Sequence, residues 1–179
     1  PSATTYEKGA SIPSLTFNWA YNKEVVTQTL TDCVLADATV RTATYNTPLT
    51  TTKTFTLTAS DGTKSATRSI SISFRDKVYF GGASQPGTYD SAFILGLGTA
   101  NFATAKKGTY SMNVGAGQYG YLAIPTAFGA IDSVWIGGFE VTVDNCGAIN
   151  FTNASGYTSS YTIYKTGQQG LGSITMEVK

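Results

Sequence analysis

Large apolar side chains alternate with polar ones along several short stretches of the chain, which is the period of a β-strand with one buried face. In residues 15–21 the large apolar side chains occupy the odd positions, and a turn at residues 22–23 leads into residues 25–30. We expect these two stretches to pair with each other as neighbouring strands. A further strand is expected near residues 39–45, before a loop at residues 46–48.

The first part of the chain also carries a strong β-hairpin signal. Two alternating runs, residues 55–59 and 69–74, flank a segment that contains Asp61 and Gly62. Asp-Gly between such runs favours a tight turn, because glycine adopts positive φ without strain. In the second run the even positions are apolar and the odd positions are serine. This pattern predicts a strand with one buried and one solvent-exposed face, and we interpret the region as a small Ig-like sandwich.

A change of composition marks a second domain. Residues 75–77 form a polar break, after which glycine and tyrosine become frequent. Pro125 is expected to end the strand that precedes it, because proline cannot donate a hydrogen bond to a central ladder. The expected strands of this second part are residues 78–82, 110–114, 119–124, 134–136, 139–143, 161–164 and 173–178.

One short helix is predicted within the second part, over residues 92–97. Thr88 is its expected N-cap, and Gly96 and Gly98 weaken it. The chain is therefore predicted to be all-β, with two β-sandwich domains in tandem. Residues 1–76 would form the Ig-like spacer or attachment domain, and residues 77–179 a larger tip or docking sandwich that includes the helix.

Composition supports a folded β protein. Of the 179 residues, 41% are hydrophobic and only 13% are charged, which suits a buried core and argues against a disordered tail. The net charge is +1, from 12 basic and 11 acidic residues that do not cluster. A nucleic-acid-binding surface normally shows a basic stripe, so we expect no nucleic-acid partner. No apolar run approaches the roughly 20 residues of a membrane span, so we expect no membrane insertion.

Two further features concern the context of the chain. Residues 1–5 include neither an initiator methionine nor a signal-peptide pattern, so we interpret the chain as a fragment of a longer polypeptide or a processed product.

Cys33 and Cys146 are expected in different domains as reduced, mostly buried thiols. A disulfide between them would require the two domains to pack these residues together.

Candidate chemistry is sparse. The chain contains no histidine, which excludes a histidine-based triad and a zincin site and leaves the cysteines without an activating base. Asp132, Glu140 and Asp144 are the closest group of acids, and a glycosidase needs two carboxyl groups facing each other about 5–10 Å apart. We interpret these three as solvated surface acids. No catalytic residue, metal site or cofactor is predicted.

Other polar motifs are expected to be structural. Residues 144–145 and 150–153 offer oxygen ligands for calcium, but we interpret them as turns. Asn150 and Asn153 each begin a glycosylation motif, which we treat as a chance match. Residues 115–118 resemble part of a nucleotide-binding glycine motif but lack its third glycine and following helix, so a turn between strands is expected.

Aromatic residues are the one positive functional feature, with 11 Tyr, 9 Phe and 2 Trp. A phenol offers a flat apolar face and a polar tip, which suits sugar stacking or protein docking. The alternative is that these side chains form cross-strand pairs that fill the faces of the sheets. The candidate binding residues are Tyr119, Tyr121, Tyr157, Tyr161 and Tyr164.

Residues 78–178 resemble a β-sandwich module that recurs in phage tail, baseplate and fibre proteins. The resemblance rests on an aromatic strand ending in proline, a Gly-Gly-Phe turn, a Thr-Asn-x-x-Gly-Tyr segment and a closing Tyr-x-Ile-Tyr strand. These lie in residues 116–125, 134–139, 149–158 and 161–164. The resemblance implies a virion appendage, often oligomeric and sometimes with a host-binding tip, and it carries over no active-site residue.

The expected function is therefore that of a non-enzymatic structural and adhesion component of a phage virion, in a tail fibre, baseplate or head fibre. Its expected partners are other virion proteins and further copies of itself, and it can contact a host cell-surface glycan or protein. The chain would be made in the host cytoplasm and located in the virion. Two alternatives are a carbohydrate-binding accessory module of a secreted enzyme and a purely architectural capsid or baseplate protein.

Overall fold

The computed structural model describes residues 3–179, and 55% of the chain is β-strand with one short α-helix. This confirms the all-β fold class. The chain divides into two compact units, Pro1–Phe74 and Arg75–Lys179, and the predicted boundary after Asp76 lies close to this division. Pro1 and Ser2, which belong to the segment without an initiator methionine or signal-peptide pattern, lie outside the described residues. The Ig-like character of the first domain stays a prediction.

The strands of the first unit are β1 (Thr5–Glu7), β2 (Leu15–Asn18), β3 (Thr27–Leu30), β4 (Thr42–Tyr45), β5 (Lys53–Ser60) and β6 (Ser65–Arg75). Within its described residues they form two sheets, one four-stranded with the order β1-β6-β5-β3 and one that pairs β2 with β4. The pairs β2–β4, β3–β5 and β5–β6 are antiparallel. Phe55 lies at the centre of the shared core, with its ring centre 4.8 Å from that of Phe17 and 5.0 Å from that of Tyr45.

The predicted hairpin is confirmed as the pair β5 and β6, which runs in register from Lys53 opposite Ile72 to Ser60 opposite Ser65. Gly62 in its turn has φ +89°, a conformation that favours glycine. The predicted faces are also correct. The even positions Ile72 and Phe74 of β6 are buried, and the serines between the apolar residues face outward.

The predicted partner of the strand at residue 15 is wrong. β2 ends at Asn18 and pairs with β4, whereas β3 pairs with β5 in the other sheet. Backbone pairing continues one residue past β2, where Trp19 N donates to Arg41 O at 3.1 Å. Alternation shows which side chains share a face, but it does not show which strand lies alongside. The chain between β2 and β3 crosses from one sheet to the other instead of turning back.

The elements of the second unit are β7 (Lys77–Ala83), α1 (Ser91–Gly96), β8 (Thr99–Phe102), β9 (Gly108–Val114), β10 (Tyr119–Pro125), β11 (Val134–Ile136), β12 (Phe139–Val141), β13 (Val143–Thr152), β14 (Thr158–Gln169) and β15 (Gly172–Val178). They form a five-stranded sheet in the order β13-β14-β10-β7-β8 and a four-stranded sheet in the order β12-β11-β15-β9. All the pairings of these strands are antiparallel.

Strand β10 separates two hydrophobic cores. Its residues Leu122 and Ile124 pack into the core between the two sheets. Its residues Tyr121 and Ala123 pack on the opposite face, into a second core that α1 covers. The five-stranded sheet is therefore buried on both faces at β10, which explains the nearly continuous apolar sequence of this strand. The strand ends at Pro125, as predicted.

Close packing around β7 depends on two glycines. A Cβ atom at Gly81 would collide with the carbonyl oxygen of Leu97, just beyond α1. A Cβ atom at Gly82 would collide with the carbonyl oxygen of Asn113, in β9. Glycine is needed here because the backbone of β7 approaches its neighbours too closely for a side chain.

The predicted helix is present, but its N-cap is Asp90 and not Thr88. Asp90 Oδ1 accepts a hydrogen bond from Phe93 N at 2.8 Å. An N-cap side chain must reach the N–H groups two or three residues further on, and Thr88 lies too early in the chain for that. The turn predicted at residues 115–118 is confirmed, with Gln118 N donating to Gly115 O at 3.0 Å.

Two predictions for residues 139–153 are wrong. The strand expected over residues 139–143 splits, because β12 ends at Val141 and β13 begins at Val143 in the other sheet. Most of the residues expected in turns belong to β13, which contains a bulge between Asn145 and Ala148. Only the turn at Asn153 is present, and that side chain is buried. Long-range pairing with β14 holds this polar segment extended, and local turn preference does not detect such pairing.

Candidate functional site

Three of the five candidate tyrosines are buried. The exposed fractions of Tyr121, Tyr161 and Tyr164 are 0%, 2% and 4%. Tyr161 OH donates to the carbonyl oxygen of Lys77 at 2.8 Å. Tyr121 OH donates to Gln85 Oε1 at 3.4 Å, and burial raises the pKa of its phenol. For these three residues the expectation of a docking surface is wrong, and the alternative of packing within the sheets is correct.

The other two candidates are accessible but have separate roles. Tyr119 is half-buried at the start of β10, and the ammonium group of Lys165 lies 4.5 Å from the centre of its ring. Tyr157 is 39% exposed in the turn before β14, where its N–H donates to Asn153 Oδ1 at 3.0 Å. The five tyrosines therefore do not form one common surface.

The candidate acids lie at the surface. Asp132 forms an ion pair with Lys106 at 2.9 Å, and Asp144 forms one with Lys165 at 3.3 Å. Asp132 and Glu140 line the same depression of about 640 Å³, which Asp144 does not line. The Lys106 hydrogen bond lowers the pKa of Asp132. A glycosidase acid needs a raised pKa, so Asp132 is unsuited to that role.

The two cysteines are free and belong to different units. Both are half-buried, so the expectation of mostly buried thiols was too strong. Burial raises the pKa of the Cys33 thiol, and the nearby carboxylate of Asp32 raises it further. A raised pKa disfavours the nucleophilic thiolate.

A concave site with aromatic lining lies in the first unit. It is a groove of about 470 Å³ between residues 19–25 and the far half of the β5–β6 hairpin. We call it the hairpin groove. Its floor is the inner face of the hairpin, where Leu57 lies opposite Arg68 and Ala59 lies opposite Ala66. The volume is within the range typical of small-molecule sites.

One wall of the hairpin groove consists of two aromatic side chains held by a single amide. Gln28 Oε1 accepts hydrogen bonds from Trp19 Nε1 at 3.1 Å and from Tyr21 OH at 3.0 Å. Gln28 Nε2 donates to the carbonyl oxygens of Asp37 at 2.8 Å and Val40 at 2.9 Å. The amide thus uses both of its donors and accepts twice, which restricts the orientation of both rings.

Arg41 contacts one of the two aromatic rings of this wall. Its guanidinium carbon lies 4.7 Å from the centre of the Tyr21 ring. Arg41 NH1 also donates to the carbonyl oxygens of Ala38 and Val40, at 2.7 Å each. Burial raises the pKa of Tyr21, against an opposing effect of Arg41. The phenol therefore remains neutral and keeps its proton for Gln28.

Charged side chains also line the groove. They belong to Lys23, Glu24, Asp61, Lys64 and, on the floor, Arg68. Asp61 is already engaged, because its Oδ1 accepts the backbone N–H groups of Thr63 at 2.9 Å and Lys64 at 2.8 Å. The groove thus combines two oriented aromatic rings with hydrogen-bonding groups.

The groove exists because the hairpin is longer than the sheet that covers it. Phe55 is fully buried beneath β2 and β4, but β2 ends at Asn18. Further along the hairpin only Trp19, Tyr21 and their neighbours approach the inner face. The inner positions Ala66 and Arg68 of β6 are consequently exposed.

Sequence reasoning missed this site because it placed Trp19 and Tyr21 in a core strand. Their odd positions continue the alternation of β2, and nothing in that pattern shows where the strand ends. A usable signal was the polar tip of each ring, since a half-buried Trp N–H or Tyr O–H requires an acceptor. Gln28 supplies it from β3.

The groove offers both apolar and polar surface to a ligand. Among residues 3–179, no three His, Cys, Asp or Glu side chains are grouped to hold a metal ion. None of the described helices is long and apolar enough to cross a bilayer.

The chain matches no protein-family model, no curated protein and no solved structure. Its function is therefore inferred from its own residues and geometry.

Proposed function

We propose that the chain is a non-enzymatic adhesion component of a phage virion appendage, which binds a host cell-surface glycan in the hairpin groove. The observation that carries the binding proposal is the pair of rings, Trp19 and Tyr21, held by one amide of Gln28. The virion context rests on the resemblance of residues 78–178 to modules of phage tail and fibre proteins. The chain would assemble with other virion proteins and with further copies of itself.

The physical argument for a glycan starts from the two kinds of surface that a sugar ring presents. Its C–H faces are apolar and stack on aromatic rings, whereas its hydroxyl groups need hydrogen-bond partners. The hairpin groove offers both, because half-buried Trp19 and Tyr21 lie beside the polar side chains of Lys23, Glu24 and Lys64. Prior orientation of the rings by Gln28 lowers the entropy lost on binding.

Several copies in one appendage would strengthen such an interaction. A shallow groove that holds one or two sugar rings gives weak affinity by itself. When several grooves engage one surface, the second and later contacts form at high effective concentration, and avidity exceeds the single-site affinity by about 10²–10⁴. Oligomerisation therefore suits this role.

A second candidate is a carbohydrate-binding accessory module of a secreted enzyme. It is favoured by the fact that all the lining residues lie within one compact unit, so one copy would suffice. The two candidates differ in what they require of the protein. An accessory module binds measurably as a monomer, whereas the virion module depends on multiple copies.

A glycan array probed with the monomer and with a chemically tetramerised form tests the proposal. We expect glycan binding that strengthens with tetramerisation and is lost in Trp19→Ala. Phe139→Ala is the matched control, since Phe139 is a 76% exposed aromatic residue outside the groove. The proposal fails if no glycan is retained above a control protein, or if Trp19→Ala binds as well as the unmodified chain.

A further inference from the structure

We infer that the hairpin groove selects glycans that bear a carboxylate, and that Arg68 binds this group. The inference rests on the proposed glycan function and adds the chemical class of the ligand. It depends on where the guanidinium of Arg68 lies and on which charges surround it.

Arg68 occupies an inner position of the hairpin, where a core residue would be expected. It lies opposite Leu57 in the register of β5 and β6, and its neighbours on the same face of β6 are Ala66 and Ile70. Arg68 is exposed, and within residues 3–179 its side chain has no hydrogen bond, ion pair or ring contact. Arg41, by contrast, donates to two backbone carbonyl oxygens.

The charges that line the groove favour an anion. Three cationic side chains line it, from Lys23, Lys64 and Arg68, together with the two acids Glu24 and Asp61. Asp61 Oδ1 is engaged by two backbone N–H groups of the hairpin turn. A guanidinium group presents paired N–H donors that match the two oxygens of a carboxylate. A sugar stacked on the aromatic wall would thus lie in the same groove as this guanidinium group.

An inward-facing charge can also have a purely protective role. Within residues 3–179 the far half of β6 has only β5 beside it, since β1 joins β6 near Ser73. Charged residues on such edges discourage pairing with other chains. That role predicts no effect of Arg68 on ligand selectivity, so a binding measurement separates the two explanations.

The experiment uses the full chain with Trp135→Phe, which leaves Trp19 as its one tryptophan reporter. The probes are two matched pairs, trigalacturonic acid with its methyl ester and sialyllactose with lactose. For at least one pair we expect the acid to bind about tenfold more tightly than its neutral partner, as judged by Trp19 fluorescence. That preference should weaken as the NaCl concentration rises, because salt screens exposed charges.

Variants of Arg68 then test whether this residue causes the preference for the acidic glycan. Arg68→Gln should remove the acid preference, so that an acid and its neutral partner bind about equally, and Arg68→Lys should restore only part of the preference because the paired donors are lost. Arg75→Gln is the control, since it removes an arginine from the other end of β6. An acid preference that survives Arg68→Gln overturns the inference.

Two other outcomes are also decisive. Neutral glycans that bind through Trp19 as tightly as their acidic partners would overturn the carboxylate inference and leave the glycan function intact. If neither acidic probe binds, the inference fails. The proposed function fails with it only if the whole array, neutral glycans included, shows no binding that depends on Trp19.

Discussion

Trp19 donates its indole N–H to Gln28 Oε1 at 3.1 Å, and this bond ties the segment that follows β2 to a strand of the opposite sheet. The same oxygen accepts the Tyr21 hydroxyl. One amide therefore determines how two rings face the hairpin groove, which links the stability of the first unit to the shape of its candidate site.

Removing this amide should destabilise the first unit. Gln28→Ala removes four hydrogen bonds at once. Two are donated by the side chains of Trp19 and Tyr21, and two are accepted by the carbonyl oxygens of Asp37 and Val40. We expect a loss of about 1–3 kcal/mol in the free energy of unfolding, measured by urea denaturation. Gln169→Ala, at an exposed position of β14, is the control. Equal stability of the two variants would contradict the structural role of Gln28.

A methyl group at Gly81 should destabilise the second unit. The added Cβ in Gly81→Ala would meet the carbonyl oxygen of Leu97, so β7 and the end of α1 would have to move apart. We expect a cost of about 1–3 kcal/mol and a lower thermal midpoint of unfolding. Gly87→Ala is the matched control, because no atom lies within 4 Å of its Cβ position. If the control loses as much stability, close packing is not the cause.

Gly96→Ala is expected to have the opposite effect. Gly96 is the last residue of α1, and its Cβ position is open. Alanine restricts the unfolded chain more than glycine does, so we expect a gain of up to about 0.5–1 kcal/mol in stability. Gly98→Ala should instead destabilise, because Gly98 has φ +79°. Chemical denaturation of both variants tests this, and a gain at Gly98 would contradict it.

The hairpin turn should weaken at low pH. Hydrogen bonds from the backbone N–H groups of Lys64 and Thr63 lower the pKa of the Asp61 carboxyl group. A lowered pKa in the folded state means that the contribution of Asp61 is complete above about pH 4, the ordinary aspartate value. It is lost as the pH falls through the folded pKa. The stability difference between the unmodified chain and Asp61→Ala should therefore be larger at pH 7 than at pH 2. A difference independent of pH would exclude this mechanism.

Local sequence patterns predicted the parts of the fold that depend on neighbouring residues. Asp61 and Gly62 identified the hairpin, because a tight turn is specified by the residues that form it. The alternation of isoleucine and serine in β6 identified its buried face for the same reason. Pro125 marked the end of β10. Each of these features can be read within a window of about ten residues.

The candidate site could not be predicted in this way. From the same alternation of apolar and polar residues we predicted a core strand that extends through Trp19 and Tyr21, although β2 stops at Asn18. The same pattern did not show whether Tyr121 and Tyr161 are buried. A strand with one covered face can have the same aromatic content as a strand that is covered on both faces. The cover over Tyr121 comes from α1, which is distant from β10 in sequence.

Whether a feature of this fold can be predicted from sequence depends on how far apart in the chain the interacting residues lie. Residue type and spacing were enough for the all-β class and for the inward side of β6. Folding in three dimensions decided that β2 pairs with β4, that three of the candidate tyrosines are buried and that Gln28 joins Trp19 to Tyr21. Strand partners and buried hydrogen bonds join residues far apart in the chain, and no local pattern encodes that choice of partner.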